Sequence, residues 1–186
     1  MVFFLLTPLL HLLLITPPTP AQLVVPGRSL GNLKLGADAT TLANLGPAAF
    51  GDAAMQKGWA TWFGTGHPPA QLDVYTTMVP GQDTHKAVQV VRATSTYFQL
   101  ANGLRNGATL HQIQQCYGRL PLATSYRLKA GPRYLYDNVA LGIAFELDGQ
   151  ASTSHCRALV VHQPGQAAAN IYLPMPLYLK EVPIRR

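Results

Sequence analysis

Apolar positions along the chain fall into three kinds of spacing, and each predicts a different element. The first is a nearly unbroken run over residues 3–15, FFLLTPLLHLLLI. It is shorter than the ~20 apolar residues a helix needs to cross a bilayer core, and its length suits the apolar region of a secretory signal. Pro17, Pro18 and Pro20 break any helix after it, and Thr19 and Ala21 have the spacing a signal peptidase accepts. Residues 1–21 therefore read as a signal peptide cleaved before Gln22, although no Lys or Arg precedes the run. No Cys lies near that point, so a lipid anchor is not expected. The mature protein is expected to be exported, periplasmic or secreted, with no transmembrane segment after signal removal.

The second kind is a three-to-four spacing, which predicts two short helices: Ala39, Leu42 and Leu45, then Leu110, Ile113, Cys116 and Tyr117. Asp38 and Thr109 stand at their starts, where a short side chain accepts from orphan backbone N–H groups. Gly46 and Gly118 stop them. The third kind is alternation, which predicts strands over 59–63, 71–78 and 85–100, then 133–136, 141–148 and 156–163, with 171–173 as a further candidate. In 141–148, Ile143, Phe145 and Leu147 share one face, and Ala144, Glu146 and Asp148 share the other. Such a pattern reads as one buried face and one face in water.

These elements recur. Leu33-Lys34-Leu35-Gly36-Ala37 returns as Leu104-Arg105-Asn106-Gly107-Ala108 at an offset of 71. Leu72-Asp73-Val74 against Ile143-Ala144-Phe145, and 86–90 against 157–161, keep that offset. A fixed period with a fixed order signals duplication. The expected fold class is α+β: two tandem repeats of a short helix followed by an antiparallel β-meander, with the helices on one face of the sheet. The expected organisation is a signal at 1–21, a first repeat at 22–101, a second at 102–165 and a C-terminal extension at 166–186.

The stretch from Phe98 to Leu110, FQLANGLRNGATL, ending in a helix at Tyr117-Gly118, resembles a motif of exported bacterial proteins of unknown function. Val25-Pro26-Gly27-Arg28-Ser29-Leu30-Gly31 looks like the opening of a first such unit. The arrangement is similar to the beta-lactamase-inhibitory-protein fold and to the small outer-membrane-assembly lipoprotein fold. That resemblance implies tandem helix-plus-sheet units and protein binding on an open sheet face. The lipidated Cys of the lipoproteins is lacking, and the inhibitor family's contact residues have no counterpart here.

Composition narrows the function. With 48% hydrophobic residues the chain can bury a core, while 12% charged residues is low for a soluble domain. The net charge of +6 is spread, with one loose cluster at Arg127, Lys129 and Arg133, so the dense basic stripe of a nucleic-acid binder is missing. The two Cys suggest a Cys116–Cys156 disulfide in an oxidising compartment. His155 and Cys156 are neighbours on a strand, hence on opposite faces, and do not make a catalytic pair. The histidines show no metal-ligand spacing, and no motif calls for a cofactor.

Aromatic residues supply the remaining signal. If Leu72 and Val74 face the helices, Tyr75 faces away, and Trp62, Tyr134 and Tyr136 join it as a binding surface. The expected function is an exported, non-catalytic binding or structural module for a protein or envelope polymer. The alternatives are an envelope hydrolase whose site is invisible in the sequence, or an inhibitor of a secreted enzyme.

Overall fold

The structure, a computed structural model, describes residues 22–128 and 130–171 in full and the backbone alone of 182–183. The expected signal peptide, Lys129 and most of the C-terminal extension lie outside the described residues. Strands dominate: β1 Gln22–Val25, β2 Ser29–Leu30, β3 Leu33–Lys34, β4 Phe50–Ala54, β5 Lys57–Phe63, β6 Gln71–Thr77 and β7 Ala87–Ala93 come first. β8 Phe98–Leu100, β9 Leu122–Leu128, β10 Gly131–Asn138, β11 Ile143–Leu147, β12 Cys156–His162 and β13 Val182–Pro183 follow. Helical segments are short: a 3-10 segment Ala39–Leu45, helix α1 Leu110–Tyr117 and the single turn α2 Ala168–Ile171.

A large antiparallel sheet runs β9-β10-β11-β12-β7-β6-β5-β4, with two-residue β13 outside β9. A small sheet runs β3-β2-β1-β8, in which β1 and β8 are parallel. The α+β expectation, two helix-plus-meander repeats with a helical layer, is therefore overturned. The protein is mostly β, in two sheets. The reason is local. Residues 22–34 form hairpins that pair with β8, so a second sheet stands where loops were expected. The 3-10 segment Ala39–Leu45 buries no residue fully, Leu45 stays exposed and only Leu42 packs on the core, so little packing holds that segment as an α-helix. The strands of the two expected repeats merge into one sheet, because β7 pairs directly with β12.

The caps are those the sequence suggests. Asp38 accepts from the Thr40 N–H at 2.8 Å, and Thr109 and Gln112 form a reciprocal capping box on α1. Gly46 and Gly118 end their segments at φ of 77° and 70°, where only Gly avoids a steric penalty. Ile171 ends α2 rather than starting a strand. The unpredicted strands β4 and β9 flank the two meanders. The β4 sequence FGDAA combines Gly, Asp and Ala, which favour strands little.

Two apolar layers sandwich the large sheet. On its first face Val74, Val91, Ile143, Phe145, Leu147 and Leu159 pack against Ile113 and Leu110 of α1 and against Val24, Leu30 and Leu100 of the small sheet. On the second face Val90, Leu135, Ala144 and Val160 pack beneath Ala168 of α2. Each Leu, Ile or Phe buried in this way contributes about 1.5–3 kcal/mol. All five residues of β11 are buried, so the alternation in 143–147 marks two covered faces, not one core face and one wet one. The sheets also touch by backbone: the Gly27 N–H donates to the Gly142 carbonyl at 3.0 Å. A Cβ on Gly142 would stand 2.7 Å from the Gly27 Cα, so a side chain there would pry the sheets apart.

Candidate functional site

Charged residues interrupt the apolar strands at three points: Asp73 between Leu72 and Val74, Arg92 after Val91, and Glu146 between Phe145 and Leu147. Strand alternation turns all three onto the second face, and all three are buried, at 1%, 3% and 0% exposure. Register brings Asp73 opposite Arg92 and Glu146 opposite Ala158. Ala158 lies diagonally between Arg92 and Glu146, and its methyl side chain leaves room for the guanidinium to cross β12. Arg92 Nε and Nη2 then donate to the two oxygens of Glu146 at 2.7 and 2.9 Å, and Nη1 donates to Asp73 at 2.8 Å.

The surroundings complete the network. Thr61 donates its hydroxyl to Asp73 at 2.6 Å, and the Gln71 side-chain amide donates to both Asp73 oxygens at 2.8 and 3.0 Å. Tyr126 donates to Glu146 at 2.5 Å. Burial works to raise the Glu146 carboxyl, but the Arg92 charge and the hydrogen bonds from Arg92 and Tyr126 outweigh it and hold the group below the usual carboxylate range. Arg92 stays charged for the converse reason. Its burial favours the neutral form, yet Glu146 and Asp73 raise it well above the ordinary value.

Above this network opens a cleft of about 950 Å³. Arg92, Arg133 and Glu146 form its floor, and Pro68, Thr94 and Ala130 stand in its walls. The rim carries Arg157, whose Nε and Nη2 donate to Asp148 at 2.9 and 2.5 Å. A bulge where β12 crosses Glu146 and Leu147 leaves Arg157 as the extra residue and turns Cys156 into the apolar face. Arg133 is the odd member. Its Nη1 donates to the Pro132 carbonyl, while its buried Nε lies 3.2 Å from Glu146 Oε1 without a hydrogen-bond partner among the described residues.

The second face holds another buried polar pair. His162 Nε2 lies 2.9 Å from Asp137 Oδ1, both groups fully buried. The other oxygen of Asp137 accepts the Ala168 N–H at 2.9 Å. This pair ties β10, β12 and α2 together and opens into no cavity described here.

The residues expected to bind do not share a surface. Tyr75 lies on the second face beside α2, half-buried, its hydroxyl pushed up by burial. Trp62 lies on the first face opposite Leu72, with its indole N–H donating to the Gly46 carbonyl at 3.1 Å. There it lines an apolar recess of about 260 Å³ with Leu45 and Phe98. Tyr134 and Tyr136 also pack into the first-face core. Trp59, not Trp62, stands opposite Tyr75. The two cysteines are unbridged: Cys116 is exposed on α1 and Cys156 is buried. Burial, reinforced by Glu146, pushes the Cys156 thiol up to about 12, far from a reactive thiolate.

Among the described residues no group of three His, Cys, Asp or Glu side chains is placed to hold a metal ion, and no helix is long and apolar enough to cross a membrane. No family model, curated protein or solved structure matches the chain. Nothing in these comparisons bears on the resemblance to the inhibitor and lipoprotein folds.

Proposed function

We propose that the protein is an exported, non-catalytic binding module that receives a protein or envelope polymer in the cleft over Arg92 and Glu146. The observation that carries this reading is Arg133, a cleft-lining arginine whose buried Nε has no hydrogen-bond partner among the described residues. That Nε faces Glu146 at 3.2 Å as an ion pair without a formed hydrogen bond, and the one described hydrogen bond of Arg133 goes from Nη1 to the Pro132 carbonyl, so the guanidinium keeps unused donors. Such donors are expected where a ligand completes the site. Export is inferred from the apolar run 3–15 and the prolines that follow it.

The hydrolase alternative finds less support at this place. Glu146 is held by Arg92 and Tyr126, Asp73 by Arg92, Thr61 and Gln71, and Asp148 by Arg157. Glu146 and Asp148 are both held below the usual carboxylate range by these partners, which makes them poor general acids.

Substitution of Ala130, exposed in the cleft wall, tests the reading. Ala130→Trp fills the opening without touching the floor. It is expected to reduce capture of partners from an envelope extract by about tenfold or more, equivalent to ~1.4 kcal/mol, at unchanged melting temperature. Capture unchanged by Ala130→Trp, but lost on Trp62→Ala or Tyr75→Ala, would return the site to the aromatic residues.

A further inference from the structure

The geometry points to an uncharged, hydroxyl-rich ligand for the cleft: a neutral saccharide rather than an acidic polymer. This inference rests on the binding function proposed above and names the chemistry of its ligand.

The hydrogen-bonding capacity of the floor is lopsided. Asp73 accepts from Thr61, from Arg92 and at both oxygens from Gln71, which fills the roughly four acceptor sites of a carboxylate. Glu146 accepts twice from Arg92 and once from Tyr126, and Arg133 Nε stands against its remaining side. The arginines are not filled. A guanidinium has about five N–H donors. The described bonds use only the Nε, one Nη1 and one Nη2 hydrogen of Arg92, and one Nη1 hydrogen of Arg133. Both side chains line the cleft. A ligand that completes this floor must bring oxygen acceptors.

Charge decides which acceptors. Arg92 and Arg133 are matched by Asp73 and Glu146, and Arg157 at the rim is matched by Asp148. Among the described residues, an anion entering such a site would give up hydration and meet no unmatched arginine. A neutral hydroxyl or carbonyl oxygen takes charge-assisted hydrogen bonds from the same guanidinium groups without unbalancing the site. The walls fit the same ligand. Thr65, Thr94 and Thr96 offer hydroxyls that donate as well as accept, as the hydroxyls of a sugar do. Among the described residues the cleft lining contains no aromatic residue and no Met, the anchors that protein partners favour. Pro68 and Pro69 provide a rigid apolar wall for the C–H side of a ring.

The test is a titration of the purified protein against neutral cello-, malto- and chito-oligosaccharides and against oligogalacturonate, at low and high salt. At least one neutral series is expected to bind, with an affinity that changes by less than about twofold with salt, because no net charge is exchanged. Arg133→Gln should weaken that binding by about tenfold or more, and Arg133→Lys should not restore it, since Lys lacks the planar fork. Ala130→Trp, which leaves Glu146 and its partners in place, should abolish it. Tight, salt-sensitive binding of oligogalacturonate alone would overturn the inference in favour of an anion site. Sugar binding indifferent to both Arg133→Gln and Ala130→Trp would place the ligand elsewhere and overturn it too. If no saccharide binds while Ala130→Trp still blocks capture from envelope extract, the saccharide assignment falls and the cleft stands. If capture also survives Ala130→Trp, both fall.

Discussion

The second face of the large sheet buries polar side chains at two places, and the two are built differently. Asp137 and His162 sit under α2, where one carboxylate oxygen meets the imidazole and the other holds the Ala168 N–H. Both side chains are sealed from solvent, and the pair works as a clasp between β10, β12 and a helical turn. Arg92, Asp73 and Glu146 are equally buried, yet Arg92 and Glu146 line an open cleft and guanidinium donors are left over. The contrast separates two uses of buried polar groups. In one the described bonds join elements of the fold; in the other the arginines keep N–H donors that the described bonds do not use.

Breaking the larger constellation should have the largest effect. Arg92→Met removes the cation that serves both Asp73 and Glu146, leaving Asp73 without a cation and Glu146 with Arg133 alone. A loss of about 3–5 kcal/mol is expected, read as a lower urea midpoint. Replacing Asp73 and Glu146 by Leu in the same chain should return much of it, because a buried ion cluster and an apolar cluster of similar volume differ little. No recovery would mean that the network organises the sheet rather than merely occupying it.

The clasp should break more gently and more locally. Asp137→Ala removes the acceptor for both His162 and Ala168, at about 1–3 kcal/mol. Hydrogen exchange at Ala168 should quicken far more than at Val90 or Val91, while ligand uptake by the cleft should be unaffected. Equal quickening throughout β7 would show that the two constellations are one unit.

The smallest effect in neutral buffer, and the sharpest discriminator, is pH. Glu146 has a folded value held below its unfolded one. Its contribution is therefore fully present above the unfolded carboxylate value, about 4.3, and is lost as pH falls through the lower folded value. Melting temperature should drop steeply with acid in the parent protein, and the slope should flatten in Glu146→Gln. An identical acid slope in both proteins would remove Glu146 as a source of that pH dependence.

Much of the strand pattern was legible, because alternation depends on neighbours in sequence. Leu72 and Val74 do turn away from Tyr75, and Ile143, Phe145 and Leu147 do share a face. What lay beyond reach was set by partners far apart in the chain. Arg92 and Glu146 are separated by 54 residues, and only the register of β7 on β12 and of β12 on β11 shows that they meet. The same limit misplaced the aromatic surface. Trp59 and Trp62 both look suited to stand beside Tyr75, and the β5–β6 register chooses Trp59. The small sheet was missed because β2 and β3 have two residues each, too few for any alternation to be seen.

The junction of β7 with β12 governs how such a chain can be made. A strand in the middle of the finished sheet receives its second neighbour only after the other meander has been synthesised and folded back. Until then it presents a row of unsatisfied amides with valines on either side, the kind of edge that recruits strange strands. Passage across a membrane as an unfolded thread, with assembly on the far side, would spare the nascent chain that exposure. A truncated product ending short of Cys156 would carry the hazard for as long as it lasted.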